Sequence, residues 1–161
     1  FLIHRVLPGM IARGAGGSLT IGSVAGIVSK PGSAVYGASK SYLNSLSEAL
    51  HAELRGTGVI VTGVLPGPVP TEFGAMAGKA DAAPVKEGTE APPSPGGSIK
   101  LPNVFTVSED QCAEDAVLAL VEGRARVVPG AAVKVMARVM DNLPRPVVRA
   151  VLGRAAKRMR P

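Results

Sequence analysis

At 161 residues the chain has the length of one ordinary domain, and 46% apolar residues are enough to bury a core, which excludes a chain disordered throughout. Its net charge of +6 is unevenly spread: residues 134–161 hold eight Lys or Arg against one acid, Asp141, leaving 10 basic and 11 acidic residues in 1–133. A near-neutral body with 3% aromatics and no Trp lacks the basic surface and stacking platforms that nucleic acid requires, so no nucleic-acid partner is expected. The single cysteine, Cys112, has no partner for a disulfide and no second ligand at metal spacing, which points to a reducing, cytoplasmic setting without a metal. No apolar run reaches the roughly 18 residues of a membrane span, and the first residues do not read as a signal peptide.

Residues 1–12 place Leu2, Ile3, Val6, Leu7, Met10 and Ile11 at helical spacing, with Pro8 predicting a bend or a tightened last turn. Gly14, Gly16 and Gly17 stop this helix, and 18–22 is short and rich in β-branched residues, as a buried strand would be. From about Ala34 to Leu54 the apolar residues Tyr42, Leu43, Leu46, Ala49, Leu50 and Leu54 recur with helical period, ended by Gly56 and Gly58. Val59–Leu65 is almost continuously apolar, the composition of a parallel strand covered on both faces, and stops at Pro66-Gly67-Pro68.

Residues 74–105 are rich in Ala, Gly, Pro and charge, and a connection of that length predicts a lid, a binding loop or a disordered segment. Order returns at Ser108, an N-cap with Gln111 three residues on, ahead of a helix over 113–122. A strand at 126–129 follows, then two basic helices over about 132–142 and 146–159, separated by Pro144 and Pro146. The alternation of helix and strand predicts an α/β fold: a parallel sheet, doubly wound with helices on both faces, of which only three strands are present.

Three features carry chemistry. Tyr36 and Lys40 stand four residues apart at a helix start and project from one face. A phenol ordinarily ionises near pH 10, and an adjacent ammonium in a low-dielectric cleft favours the phenolate, which would make Tyr36 a general acid or base. Ser23 follows the strand 18–22, and ligands of parallel sheets bind beyond the carboxyl ends of strands, where its hydroxyl could donate to an oxygen gaining negative charge. Leu65-Pro66-Gly67-Pro68-Val69-Pro70-Thr71 leaves the next strand at the same edge, where Val69 and Thr71 could hold a flat, amide-bearing ring.

Ser23, Tyr36 thirteen residues later, Lys40, and a Pro-Gly strand end carrying Thr71 together resemble the short-chain dehydrogenase/reductase family, over about residues 1–130. The resemblance implies a Rossmann-like fold, NAD or NADP as cofactor, and interconversion of a small carbonyl substrate, a ketone or aldehyde, with its alcohol. It implies Tyr36 as acid/base, Ser23 polarising the substrate carbonyl, and Lys40 aiding Tyr36 and binding the nicotinamide ribose. Pro66, Gly67, Val69 and Thr71 would seat the nicotinamide carboxamide. A homo-oligomer is implied for the complete protein.

Several family features are not among these residues: the glycine-rich fingerprint that cradles the cofactor pyrophosphate, the residue that selects NAD or NADP, and the Asn-Ala-Gly turn. Asn44, Asn103 and Asn142 do not stand where the family's catalytic asparagine lies, and Gly22 replaces a serine found in many members. The expectation is therefore the carboxyl-terminal part of the domain over 1–130, with 74–105 as substrate lid and 131–161 as a basic amphipathic tail. On that expectation the isolated chain is a catalytically inactive fragment, an unpaired edge at 18–22 makes it prone to aggregate, and it acts at most as a partner- or membrane-binding module.

Each of these residues also has a plainer use. Tyr36 and Lys40 could be a half-buried ring and a solvated cation, Ser23 could cap a turn, and Thr71 could cap a short helix. His4 and His51 lack a paired carboxylate or nucleophile motif and read as surface or packing residues, and Cys112 as an ordinary thiol. In the tail, Val147, Val148, Val151, Leu152, Ala155 and Met159 share a helical face opposite Arg149, Arg154, Lys157 and Arg160. Such a helix can dock on the domain or on a second subunit, and 145–161 can alternatively make peripheral contact with an anionic membrane. The apolar, Pro-rich 74–105 leans towards a hydrophobic substrate.

Overall fold

A computed structural model describes residues 2–28, 31–70 and 103–158, the side chains of Asn103 and of 155–158 excepted. Thr71 and the expected lid as far as residue 102 lie outside the described residues.

Three strands, β1 (Gly16–Ile21), β2 (Val59–Val64) and β3 (Arg126–Val127), form one parallel sheet in the order β1-β2-β3. Helix α1 (Leu2–Arg13) precedes β1, α2 (Ala34–Glu53) joins β1 to β2, and α3 (Glu109–Val121) leads into β3. The chain continues as α4 (Ala131–Asn142) and α5 (Arg145–Arg158). This is the expected α/β architecture, with helices on both sheet faces.

β2 is central, and its alternation divides the core. Val59 and Val61 pack with Leu54, Leu50, Leu7 and Met10 under α1 and α2. Val64 packs on the other face with Leu19, Val127, Ala116, Ala119 and Cys112 under α3. Because both faces are covered, β2 needs no polar side and its residues are apolar nearly throughout, as parallel strands are. The buried exception, Thr62, donates from Oγ1 to the Arg124 carbonyl at 2.7 Å, which satisfies its hydroxyl.

Helix α2 comes close to the sheet because its packing residues are small. A Cβ on Gly63 would stand 3.2 Å from the Cβ of Ser47, which is 1% exposed. His51, a turn further on, has Nδ1 2.9 Å from the Val61 carbonyl oxygen, so this histidine donates into the strand and serves packing.

Helix α3 is capped at Ser108 as expected but starts at Glu109, four residues before the expected 113: the Ser108 Oγ accepts from the Gln111 N–H at 3.2 Å, and Glu109 and Asp110 sit in the positive first turn. The Gln111 side chain donates forward to Asp115 at 3.0 Å. Helix α4 docks on the body through Val133 and Ala137, both almost wholly buried, while α5 buries Val148 and leaves Val147 and Val151 exposed.

Candidate active site

The carboxyl ends of β1 and β2 are joined by hydrogen bonds that shape the loops leaving them. The Gly22 N–H donates to the Val64 carbonyl at 2.8 Å, carrying the pairing one residue beyond β1. Ser23, 8% exposed, then caps the single 3-10 turn Val24–Gly26. Its Oγ accepts from the Ala25 N–H at 3.1 Å and donates to the Pro66 carbonyl at 3.4 Å. The same carbonyl accepts from the Val24 N–H at 3.1 Å, so Pro66 gathers the turn beside the exit of β2. Ser23 thus does cap a turn, and the cap uses its acceptor side while its hydroxyl proton is directed along a long, weak bond.

Tyr36 and Lys40 lie on the first and second turns of α2, both half-buried. Lys40 Nζ stands 5.8 Å from the centre of the Tyr36 ring and donates to the Ile21 carbonyl at 2.8 Å. An ammonium at this depth has lost part of its hydration, and burial lowers the Lys40 pKa from its ordinary 10.5. Lys40 therefore joins the tyrosine to the end of β1, two residues before Ser23.

One turn beyond Lys40, Asn44 spans the backbone of Ser23. Its Oδ1 accepts from the Ser23 N–H at 3.3 Å and its Nδ2 donates to the Ser23 carbonyl at 3.0 Å. The sequence reading misses this contact, since Asn44 does not stand where the family's catalytic asparagine lies. The signal was the spacing 36, 40, 44, which puts all three residues on one helical stripe.

Beside these residues runs an apolar trough of about 380 Å³, lined by Ile21, Val64, Pro66 and Val69 from the strand ends and by Cys112 and Ala116 from α3. Burial, and secondarily the charge of Asp115, raise the Cys112 pKa, so its thiol stays protonated. Gly67 borders α4: a Cβ there would come within 2.8 Å of Val133. On the far side of Asn44 a second hollow of about 230 Å³ includes Arg126, which pairs with Glu48 of α2 at 3.3 Å and with Asp141 of α4 at 2.5 Å. Among the described residues no group of three His, Cys, Asp or Glu could hold a metal, and no helix is long and apolar enough to cross a membrane.

Comparison with known proteins identifies the lineage. The sequence profile of the short chain dehydrogenase family matches residues 1–82. The chain belongs to the short-chain dehydrogenase family. Similar to it is sulfoacetaldehyde reductase 2 of Chromohalobacter salexigens, 52% identical over 71 residues, which are 44% of this chain and 28% of that protein. The NADP-dependent 3-hydroxy acid dehydrogenase YdfG of Escherichia coli is 42% identical over 82 residues, covering 50% of this chain and 33% of its own. The short-chain dehydrogenase of Mycobacterium paratuberculosis bound to NAD superposes with a TM-score of 0.53 at 26% identity, over 80% of this chain and 48% of that one. The chain thus matches a third or less of these curated relatives and about half of the solved one.

As a short-chain dehydrogenase the chain is of oxidoreductase ancestry, and its matched segment contains β1, α2, β2, Ser23, Tyr36 and Lys40.

Proposed function

We propose that Ser23, Tyr36 and Lys40 form the proton-transfer end of an NAD- or NADP-dependent oxidoreductase that interconverts an alcohol with a ketone or aldehyde. The observation that carries this reading is the position of Lys40, with its ammonium 5.8 Å from the Tyr36 ring and bound to the strand end that leads into Ser23. In the reducing direction a carbonyl oxygen held between Ser23 and Tyr36 gains charge as its carbon accepts hydride. Tyr36 transfers its phenolic proton to that oxygen, and the phenolate left behind is balanced by Lys40. Ser23 donates its hydroxyl proton as a hydrogen bond to the same oxygen, exchanging the weak bond to Pro66 for a charge-assisted one. The bond it accepts from Ala25 polarises the hydroxyl in the direction that strengthens this donation. In the oxidising direction the same groups run in reverse.

A nicotinamide cofactor, when bound, supplies or accepts the hydride. The residues present fit its ring: the trough against Ile21, Val64, Pro66 and Val69 is apolar, and the Lys40 ammonium, bound to the Ile21 carbonyl, would suit a ribose hydroxyl. Pro66, Gly67 and Val69 would hold the nicotinamide end, joined by Tyr36 and Lys40, with Thr71 outside the described residues. The relatives named above support either NAD or NADP.

The test is hydride transfer in the full-length protein, followed by NADH and NADPH absorbance with sulfonated, carboxylated and plain aliphatic aldehydes and ketones. Turnover with at least one of them is expected, and Tyr36→Phe should lower it by about 100-fold or more with the circular dichroism spectrum unchanged. A Tyr36→Phe protein that keeps parental turnover overturns the assignment.

A further inference from the structure

We infer that Asn44 is a positioning residue that fixes the backbone at Ser23 and thereby aims the serine hydroxyl, a role that rests on the proposed use of Ser23. Ser23 is held by Asn44, 21 positions further along the chain. Its side chain is bound forward to Ala25 and across to Pro66, while its own N–H and C=O are both taken by one carboxamide. One carboxamide thus satisfies the donor and the acceptor of the same residue. An asparagine side chain carries both functions at a fixed separation, so it sets the orientation of the peptide planes on either side of Ser23.

The surrounding backbone leaves room for that carboxamide and for little else. A Cβ on Gly22 would fall 1.9 Å from Asn44 Oδ1, and a Cβ on Gly26 would fall 2.5 Å from Asn44 Nδ2 and 2.6 Å from the Lys40 carbonyl carbon. Gly22 precedes the cap residue Ser23, and Gly26 ends the turn that Ser23 caps. The Asn44 side chain therefore occupies space that a side chain at position 22 would need, which makes residues 22 and 44 alternatives for one site. Lys40 lies one turn earlier on the same stripe of α2 and holds Ile21, so the helix grips β1 and the following turn at two successive points, 21 and 23. Tyr36, Lys40 and Ser23 are in this way referred to one rigid element, which is what a proton-transfer site requires of its geometry.

The test compares Asn44→Ala, Ser23→Ala, Gly22→Ser and two combinations in the full-length protein, using turnover with its best aldehyde or ketone and amide hydrogen exchange over residues 18–28. Asn44→Ala should lower kcat about tenfold, leave KM for NADH or NADPH unchanged, and speed exchange at 23–26 while exchange in β2 stays as in the parent. Because Asn44 acts through Ser23, Ser23→Ala and Ser23→Ala/Asn44→Ala should agree in kcat within about twofold. Gly22→Ser should impair turnover while Asn44 is present, and adding it to Asn44→Ala should cause no further loss beyond that of Asn44→Ala alone. Multiplicative losses in the Ser23 pair, an Asn44→Ala protein with parental exchange, or a Gly22→Ser protein unaffected by its neighbour would each overturn the inference. Ser23→Ala with parental turnover would instead remove the role proposed for the serine, and exchange at 23–26 would still report whether Asn44 holds that backbone.

Discussion

Lys40 and Ile21 bind α2 to the end of the first strand: the lysine Nζ donates to the isoleucine carbonyl at 2.8 Å, with the centre of the Tyr36 ring 5.8 Å from the same nitrogen. One cation thus serves two ends. It satisfies a carbonyl at an edge strand, and it keeps positive charge beside a phenol. The first use is structural and the second chemical, and substitution separates them.

Lys40→Met removes the charge and keeps the aliphatic stem, so the fold should persist while turnover in the full-length protein falls by about 100-fold or more. The pH dependence has a definite sign. Burial lowers the folded-state pKa below 10.5, so the folded chain carries a desolvation cost at all pH values where Lys40 is charged. That cost is fully present below the lowered pKa, declines as pH rises through it, and is gone above the unfolded value of 10.5. The parent should therefore gain stability relative to Lys40→Met as pH is raised towards 10.5, measured as the difference in urea midpoints. Activity should move the other way, falling as Lys40 deprotonates earlier than an ordinary lysine. A midpoint difference that is flat with pH would contradict the burial of this ammonium.

Gly63 and Ser47 set how near α2 lies to the sheet, and hence where Tyr36 and Lys40 stand. A single added methyl would meet the Ser47 Cβ at 3.2 Å, a distance the helix can relieve by a few tenths of an ångström. Gly63→Ala should change stability by less than about 1 kcal/mol, whereas Gly63→Val, with two further carbons to place beside Ser47 and Leu65, should cost about 1–3 kcal/mol. Urea denaturation measures both. Turnover of the full-length Gly63→Val protein should also fall, because the displaced helix carries the site. Equal stability for the two variants would mean that the helix does not rest on this glycine.

Much of this arrangement is legible in the sequence because it rests on short-range signals. The apolar run at Val59–Leu65, the helix from Ala34 and the Ser108 cap each announce themselves locally, and the observed elements begin and end within a few residues of them. Ser23, Tyr36 and Lys40 stand out by spacing. Asn44 does not, since its partners are the main-chain atoms of residue 23, and a backbone leaves no mark of its own in the sequence. β1 begins at Gly16, two residues before the expected strand, because the lack of side chains at 16 and 17 lets Met10 and Leu120 close over a pairing that starts opposite Val59. Helix α4 is basic by composition, yet its buried stripe of Val133 and Ala137 is what meets the body, a fact set by the loop end it meets.

That contact joins the carboxyl-terminal region to the candidate cofactor turn. Val133 is fully buried, and its two methyl carbons lie 2.8 and 2.9 Å from where a Cβ on Gly67 would be. Valine is stiff about χ1, so it cannot swing aside as a longer side chain would. Gly67→Ala should therefore destabilise the chain by about 1–3 kcal/mol through overpacking, and Val133→Ala by about 2 kcal/mol or more through the cavity it leaves. In the double variant the new methyl at 67 enters the space vacated at 133. The combined loss should fall short of the sum by about 1 kcal/mol or more, well outside the roughly 0.3–0.5 kcal/mol expected of independent sites. Denaturant midpoints for the four proteins decide it. Coupling of this size would mean that α4 supports the Pro66-Gly67 turn, and that disturbing this helix should weaken NADH or NADPH binding in the full-length protein. Additive losses would detach the tail from the site.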